Sequence, residues 1–193
     1  MNLLLRLILL LGLHGVRRRP LKTLLDVSVY RTRVWVTDLD LNVHMNNGRF
    51  LSLMDLGRVD LMLGLGLLLP VLKRGWMPVV AASTIRYRRS LDFGQRFTLC
   101  TRVVGWDDKW TYMEQVFRGT DQRLVARAWV KAAIRRRGGG TVPIDELAAL
   151  AGQRGGVSPP LPASLTAWIA AEQQLADEVT RLSDPSDRPS SVA

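Results

Sequence analysis

Apolar and polar residues follow strand-like and helix-like patterns in turn along the chain. Residues 27–36 are β-branched and aromatic in loose alternation, which predicts a first strand. The run 48–69 is mostly apolar, both at helical spacing and on other faces, and predicts a helix buried nearly all round. Asn46 and Asn47 are good residues to begin that helix. Its expected end is marked by Gly64, Gly66 and Pro70.

Four more strands are predicted further along, at 79–89, 97–104, 110–118 and 124–134. The connections between them are too short for crossover helices, so we expect the four strands to be antiparallel neighbours in chain order. One strand, one buried helix and four further strands predict an α+β fold in which a curved antiparallel sheet wraps a long central helix. A single helix leaves part of such a sheet uncovered, which favours a dimer or a larger assembly.

Both ends of the chain differ in composition from this central part. We expect an apolar and basic segment at 1–22, a central domain at 23–140 and a helical extension at 141–182. The extension contains apolar residues at helical spacing from Leu165 to Leu182, which predicts an amphipathic helix. Residues 183–193 have the composition of a disordered tail.

The apolar run at 3–13 is about half as long as a segment that spans a bilayer. It lacks the charged start and the small-residue cleavage site of a secretory signal. A short apolar helix followed by arginines 17–19 suits a membrane surface, which favours a cytoplasmic protein associated with a membrane. Packing against the protein's own dimer or substrate groove and a degenerate export signal are the alternatives.

Composition narrows the functional classes. The chain has 193 residues, 47% of them hydrophobic, so it can bury a sizeable core. One cysteine excludes an intramolecular disulfide framework and Cys-clustered zinc sites, and with two histidines we expect no metal centre. The net charge of +10 includes basic runs at 17–19 and 135–137, which attract phosphate or form a solvated surface. No nucleic-acid-binding motif accompanies them, so we expect no nucleic-acid partner.

The segment from residue 38 to residue 47 combines the chemically interesting side chains. An extended loop with alternating polar residues would turn its polar groups to one side, just ahead of the helix. A helix start offers unpaired N–H groups, and a carboxylate beside it can activate water or attack an acyl carbon. This favours an acyl-transfer or hydrolysis site. The alternative is an Asx-rich turn that only caps the helix. The polar residues are Asp38, Asp40, Asn42, His44, Asn46 and Asn47.

Residues 37–50 (TDLDLNVHMNNGRF) resemble the signature at the head of the long helix in hotdog-fold acyl thioesterases. The similarity continues through 83–91 (STIRYRRSL) and 105–114 (GWDDKWTYME). It is strongest to the thioesterase superfamily member six-like group and more distant to acyl-ACP and 4-hydroxybenzoyl-CoA thioesterases. The resemblance implies a hotdog fold with extra terminal helices. It also implies hydrolysis of acyl-CoA or acyl-ACP thioesters at the interface of a homodimer or homotetramer, with no cofactor beyond the CoA of the substrate.

The resemblance also implies roles for residues of the signature. Asp40 matches the catalytic carboxylate, and Asn42 and His44 match the residues that accompany it in the plant acyl-ACP enzymes. Asn46 and Asn47 match the pair at the helix start, whose backbone would hold the thioester oxygen.

One position departs from the family pattern. Where the plant enzymes have a glutamate directly after the Tyr-Arg-Arg element, this chain has Ser90. Two alternatives follow: a mechanism that uses Asp40 and His44, or a non-catalytic acyl- or lipid-binding protein held at a membrane by residues 1–22.

Further candidates lie outside the signature. Asp55 is in the middle of the predicted helix, where some hotdog enzymes have a carboxylate; pairing with Arg58 or with an arginine across the dimer is the alternative. Three strand residues are candidates for contacts with the phosphates of CoA, or else form a solvated strand face. They are Arg86, Arg88 and Arg89.

Overall fold

A computed structural model of the chain describes residues 3–16, 20–153 and 156–182, without the side chains of 13–16. The helices are α1 (Leu3–Val16), α2 (Asn47–Gly64), α3 (Leu68–Lys73), α4 (Ile144–Leu150) and α5 (Ala163–Leu182). The strands are β1 (Ser28–Arg33), β2 (Met77–Tyr87), β3 (Arg96–Trp106), β4 (Thr111–Gly119) and β5 (Leu124–Arg135). Arginines 17–19 and the predicted tail 183–193 lie outside the described residues.

The five strands form one antiparallel sheet in the order β1-β3-β4-β5-β2. The predicted α+β class is confirmed, but the prediction that β2 and β3 are neighbours is wrong, because β2 pairs with β5. The connection 88–95 can span about 26 Å when extended. The distance from β2 to β3 across the sheet is about 14 Å. A short connection can therefore cross the end of the sheet without a helix.

Helix α2 is the central element of the core. It contacts β1 and β3 and is also covered by α1. Phe50 near its start meets Tyr87 and Phe117 edge to face, with ring centroids 5.2 Å and 4.9 Å apart. Burial is less complete than predicted, since Leu51 is 44% exposed.

A glycine sets the distance between α2 and the sheet. A Cβ atom on Gly57 would lie 2.7 Å from both Leu99 Cδ2 and Thr101 Oγ1. It would also lie 2.9 Å from Nε2 of Gln115, a fully buried side chain. That Nε2 donates to Met54 O at 3.0 Å, so helix and sheet are in direct polar contact at this point.

The end of the central helix differs from the prediction. Helix α2 ends at Gly64, and α3 begins four residues later. Pro70, expected to end the long helix, lies instead in the first turn of α3. Proline is tolerated there because N–H groups of the first turn have no partner within the helix.

Helix α1 has two apolar faces. The inner face packs against the core through residues at helical spacing, namely Leu3, Leu7 and the buried Leu10. The opposite face leaves Leu5, Ile8 and Leu11 exposed. None of the helices among the described residues is long and apolar enough to span a membrane.

The chain divides into two compact units after Pro159. Helix α4 belongs to the first unit. The second contains α5, which confirms the predicted amphipathic helix. Three apolar side chains of α5 are exposed: Leu175, Val179 and Leu182. The domain boundaries inferred from the sequence stay predictions.

We expect Gly57→Ala to destabilise the protein by about 1–3 kcal/mol, because the added methyl group overlaps packed atoms of the sheet. Chemical denaturation measures the effect. The matched control is Gly12→Ala in α1, where an added Cβ meets nothing within 4 Å and helix propensity favours alanine. Equal stability of the two variants would contradict the close approach.

Candidate active site

The signature segment forms a tight hairpin, whereas the sequence predicted an extended loop. Leu39 pairs with Met45 across the hairpin, and the N–H of Asp40 donates to His44 O at 2.9 Å. At the tip Val43 has φ 60°, a left-handed conformation that costs a β-branched residue about 1–3 kcal/mol. Such a conformation persists only where the surrounding contacts enforce it.

The hairpin separates the polar side chains of residues 38–47, which were expected on one side of an extended loop. The prediction that all polar groups face one way is wrong, since the chain reverses at the tip. Asp38 points inward and is fully buried, while Leu41 and Val43 at the tip are 102% and 62% exposed. Apolar residues therefore project into solvent beside the polar ones.

The buried Asp38 carboxylate joins three elements. Its Oδ2 pairs with Arg6 of α1 and accepts the N–H of Trp35 at 2.9 Å. Its Oδ1 accepts Nε and Nη2 of Arg49 in α2, at 3.1 and 2.9 Å. The sequence pattern placed Asp38 among the polar residues of the candidate site and gave no role to Arg6, which interrupts an apolar run. The ion pair explains that interruption.

Asp40 is the carboxylate of the hairpin. Its Oδ1 accepts the N–H of Asn42 at 2.9 Å and that of His44 at 3.4 Å. Its Oδ2 accepts no hydrogen bond from any residue that the structure describes. Asp40 is half-buried, and the neighbouring side chain of Asn42 is exposed. One oxygen thus fixes the turn and the other remains available.

His44 contacts a carboxylate that the sequence did not single out. Its Nε2 lies 3.5 Å from Oδ1 of Asp92, and the two residues form an isolated bridge. Asp92 follows Ser90 by two residues, so an acidic group reaches this region although position 90 lacks one. Asp92 could have been found from the sequence by looking for acidic residues on either side of position 90, where the family has a glutamate.

The start of α2 has one unused amide. Asn46 caps the helix, since its Oδ1 accepts the N–H of Gly48 at 2.8 Å and its O accepts that of Arg49 at 2.9 Å. The N–H of Asn46 itself donates to Asp38 O at 2.8 Å. The N–H of Asn47 has no acceptor among the described residues. Of the predicted pair, Asn46 is the cap and Asn47 supplies the available donor.

Tyr87 connects the end of β2 to this helix start. Its hydroxyl donates to Asn47 O at 3.1 Å, and burial raises the pKa of Tyr87, which keeps the donor protonated. The arginines at 86, 88 and 89 are exposed around this residue. They lie at the same end of the sheet as the hairpin.

Asp55 is separate from the hairpin. It pairs with Arg58 on the same helix, the alternative that the sequence offered. Burial lowers the pKa of Arg58, and the Asp55 charge opposes this shift. Eight residues of helix place Asp55 about 12 Å along the axis from Asn47. No cluster of three or more metal-ligating side chains occurs in the part of the chain that is described.

Comparison with known proteins identifies relatives by sequence and by fold. The chain is 42% identical to Protein THEM6 from Danio rerio over 98 residues, 51% of this chain and 48% of the relative. The fold resembles a putative oleoyl thioesterase from Lactobacillus plantarum, with TM-score 0.62, 20% identity and coverage of 72% of this chain and 56% of that chain. It also resembles a Staphylococcus aureus protein in complex with CoA, with TM-score 0.59, 14% identity and coverage of 75% and 95%.

These likenesses define the class: an antiparallel sheet around a central helix, arranged as in solved structures of thioesterases, which confirms the predicted hotdog fold. A family model described as thioesterase-like superfamily matches residues 34–169. The chain belongs to the thioesterase-like superfamily. It spans about half the length of the curated relatives it matches.

We expect Asp38→Asn to cost about 3–5 kcal/mol, because it leaves the buried guanidinium of Arg6 without a counter-charge. Thermal and chemical denaturation measure the loss. Asp121→Asn is the control, since the pair of Asp121 with Arg123 is solvent-exposed and is worth less than about 1 kcal/mol. A small, equal effect in both variants would show that the buried pair has no anchoring role.

Proposed function

We propose that the chain is a thioester hydrolase that acts on acyl-CoA, with Asp40 as the general base. Membership of the superfamily supports the reaction class. The observation that supports this site is the presence of two groups without a hydrogen-bond partner among the described residues, one in the hairpin and one at the helix start that follows it. They are Oδ2 of Asp40 and the backbone N–H of Asn47. A carboxylate and an amide donor are what hydrolysis of a thioester requires.

In the proposed reaction, Asp40 Oδ2 takes a proton from a water whose oxygen bonds to the thioester carbonyl carbon. The carbonyl oxygen becomes negative and accepts the N–H of Asn47, aided by the positive end of the α2 dipole. When the intermediate collapses, the carbon–sulfur bond breaks and the departing thiolate receives the proton. The products are a carboxylic acid and the free thiol of CoA.

The other residues of the signature would position these groups. His44, a hairpin residue bridged to Asp92, would orient the water or the substrate. Asn42 fixes the turn through its backbone, and its exposed amide side chain is available to the substrate. Asp55 has no part in this mechanism, since it pairs with Arg58.

The proposal includes a second copy of the chain. Leu41 and Val43 project from the hairpin, and β2 is an edge strand of the sheet, so both would be covered in a homodimer or homotetramer. The site would then lie at the interface. The exposed arginines 86, 88 and 89 are available to the phosphates of CoA. The structure of the Staphylococcus aureus protein with CoA supports that carrier, and acyl-ACP is the alternative.

Asp40→Asn retains the oxygen that fixes the turn but removes the base, so we expect kcat to fall by about 10²–10⁴-fold. Release of thiol from a panel of acyl-CoA and acyl-ACP substrates measures it. The matched control is Asp121→Asn, because Asp121 forms a comparable turn with the N–H of Arg123 at 3.1 Å. No thiol release by the wild-type protein from any substrate would contradict the hydrolase proposal.

The same assay, combined with a melting temperature, tests whether Asp92 positions His44 for the reaction or only contributes to folding. Asp92→Asn should lower kcat by about tenfold with an unchanged melting temperature, since the pair is solvent-exposed. An unchanged kcat would remove Asp92 from the site.

The second candidate function is a non-catalytic acyl- or lipid-binding protein on a membrane surface. The exposed face of α1 supports it, because Leu5, Ile8 and Leu11 lie in solvent on the side opposite the core. Arginines 17–19 directly follow this helix in the sequence. A cytoplasmic location with attachment through residues 1–22 stays a prediction.

Leu5→Gln/Ile8→Gln removes apolar area from the exposed face without touching the packed one, so we expect at least a tenfold loss of sedimentation with anionic liposomes. The control is Leu175→Gln/Leu182→Gln on α5, which removes two exposed four-carbon side chains elsewhere. If wild type and the α1 variant sediment alike, α1 does not attach the protein to membranes.

A further inference from the structure

Four arginines lie close together on the outer face of the sheet. In the register of β1 and β3, Arg33 is directly opposite Arg96 and Arg31 is opposite Thr98. Thr98 is in turn opposite Arg118 of β4. Side chains directly opposite one another point to the same face. We call Arg31, Arg33, Arg96 and Arg118 the arginine tetrad.

The face is assigned by the burial of the alternate residues. Phe97 and Leu99 are 2% and 0% exposed and belong to the core, so Arg96 and Thr98 point to the other side of the sheet. The arginines of β1 and Arg96 are exposed, and Arg118 is half-buried. The tetrad therefore surrounds the Thr98 hydroxyl on a solvent-accessible surface.

The tetrad has no compensating acid. Among the described residues, none of its four guanidinium groups forms an ion pair with a carboxylate. Elsewhere on the same face Glu114 pairs with Arg102 and Arg127, at 2.6 and 2.7 Å, while Arg86, directly opposite Arg127, forms no ion pair with a described carboxylate. One carboxylate thus compensates part of the charge at Arg102 and Arg127, whereas the tetrad has no carboxylate partner among the described residues.

Like charges directly opposite each other on neighbouring strands destabilise a sheet. The Arg33–Arg96 pair is of this kind, and Arg31 and Arg118 add charge on either side of Thr98. A bound dianion would remove the repulsion, since guanidinium groups bind phosphate oxygens in pairs. Arg33 stacks over the Trp35 ring at 5.6 Å and Arg118 Nη1 donates to Gln122 O at 2.9 Å, but neither contact supplies the negative charge that a bound dianion would supply.

A cavity adjoins the tetrad. Its volume is about 840 Å³, within the size range of small-molecule sites. Arg31, Arg33 and Arg96 line it together with Thr98. The cavity is also lined by the apolar Leu9, Leu10, Leu21, Val27 and Val29, and by Asp60, whose carboxylate accepts the hydroxyl of Ser28. The position suits a phosphate group whose attached portion is partly apolar.

We infer that the arginine tetrad binds a phosphate or diphosphate group, as a site separate from the hairpin of Asp40. The inference does not depend on hydrolase activity. Two sources share this chemistry, a soluble phosphate compound and the headgroup of an anionic lipid.

Titration calorimetry with inorganic pyrophosphate tests the site. The wild-type protein should bind, and Arg33→Gln/Arg96→Gln should bind at least about tenfold more weakly, because charge-assisted hydrogen bonds are lost. Arg74→Gln/Arg137→Gln is the matched control, since it removes the same charge from two exposed arginines elsewhere and should keep the wild-type affinity. A melting temperature of the tetrad variant equal to or above that of wild type shows that it is folded.

Vesicles distinguish the two sources. If Arg33→Gln/Arg96→Gln abolishes sedimentation with phosphatidic acid vesicles while the control variant still sediments, the lipid headgroup is the ligand. Pyrophosphate binding with no difference between these variants on vesicles assigns a soluble phosphate compound. Absence of pyrophosphate binding by wild type, or equal affinity of wild type and the tetrad variant, overturns the inference.

Discussion

The carboxylate of Asp38 and the guanidinium of Arg6 are both completely removed from solvent. Charges in such a position are tolerated only with partners, because their desolvation is costly. Asp38 finds partners in α1, α2 and the backbone of Trp35. Loss of Asp38 would leave the buried guanidinium of Arg6 without a counter-charge. The first helix is thereby a part of the domain, held by charge as well as by its leucines.

The geometry of the candidate site follows from these buried ion pairs of Asp38. The backbone oxygen of Asp38 accepts the N–H of Asn46, which fixes the residue that caps α2. The chain then has to reverse between Asp38 and Asn46, and the strained Val43 at the tip is the consequence. Because the reversal is enforced from both ends, one oxygen of Asp40 and the amide of Asn47 have no hydrogen-bond partner in the part of the chain that the structure describes. These are the groups to which we assign hydrolysis.

Much of this could be predicted from local patterns. Periodicity located the five strands and the central helix, and cap residues placed its start, because those signals depend on near neighbours in sequence. The resemblance of residues 37–50 to thioesterases indicated Asp40 and Asn47. Non-local pairings were missed. Arg6 and Asp38 are 32 residues apart, β2 joins β5 across the whole meander, and Asp92 reaches His44 only once the 88–95 connection crosses the sheet end.

The central claim is that the buried ion pairs of Asp38 hold the hairpin in the conformation that presents Asp40. Amide hydrogen exchange of His44 and Asn46 tests it most directly, since their N–H groups bond within the hairpin and to Asp38. In Asp38→Asn, well below its melting temperature, we predict fast exchange at both amides while the strands β3–β5 remain protected. Wild-type protection of both amides in that variant would contradict the account.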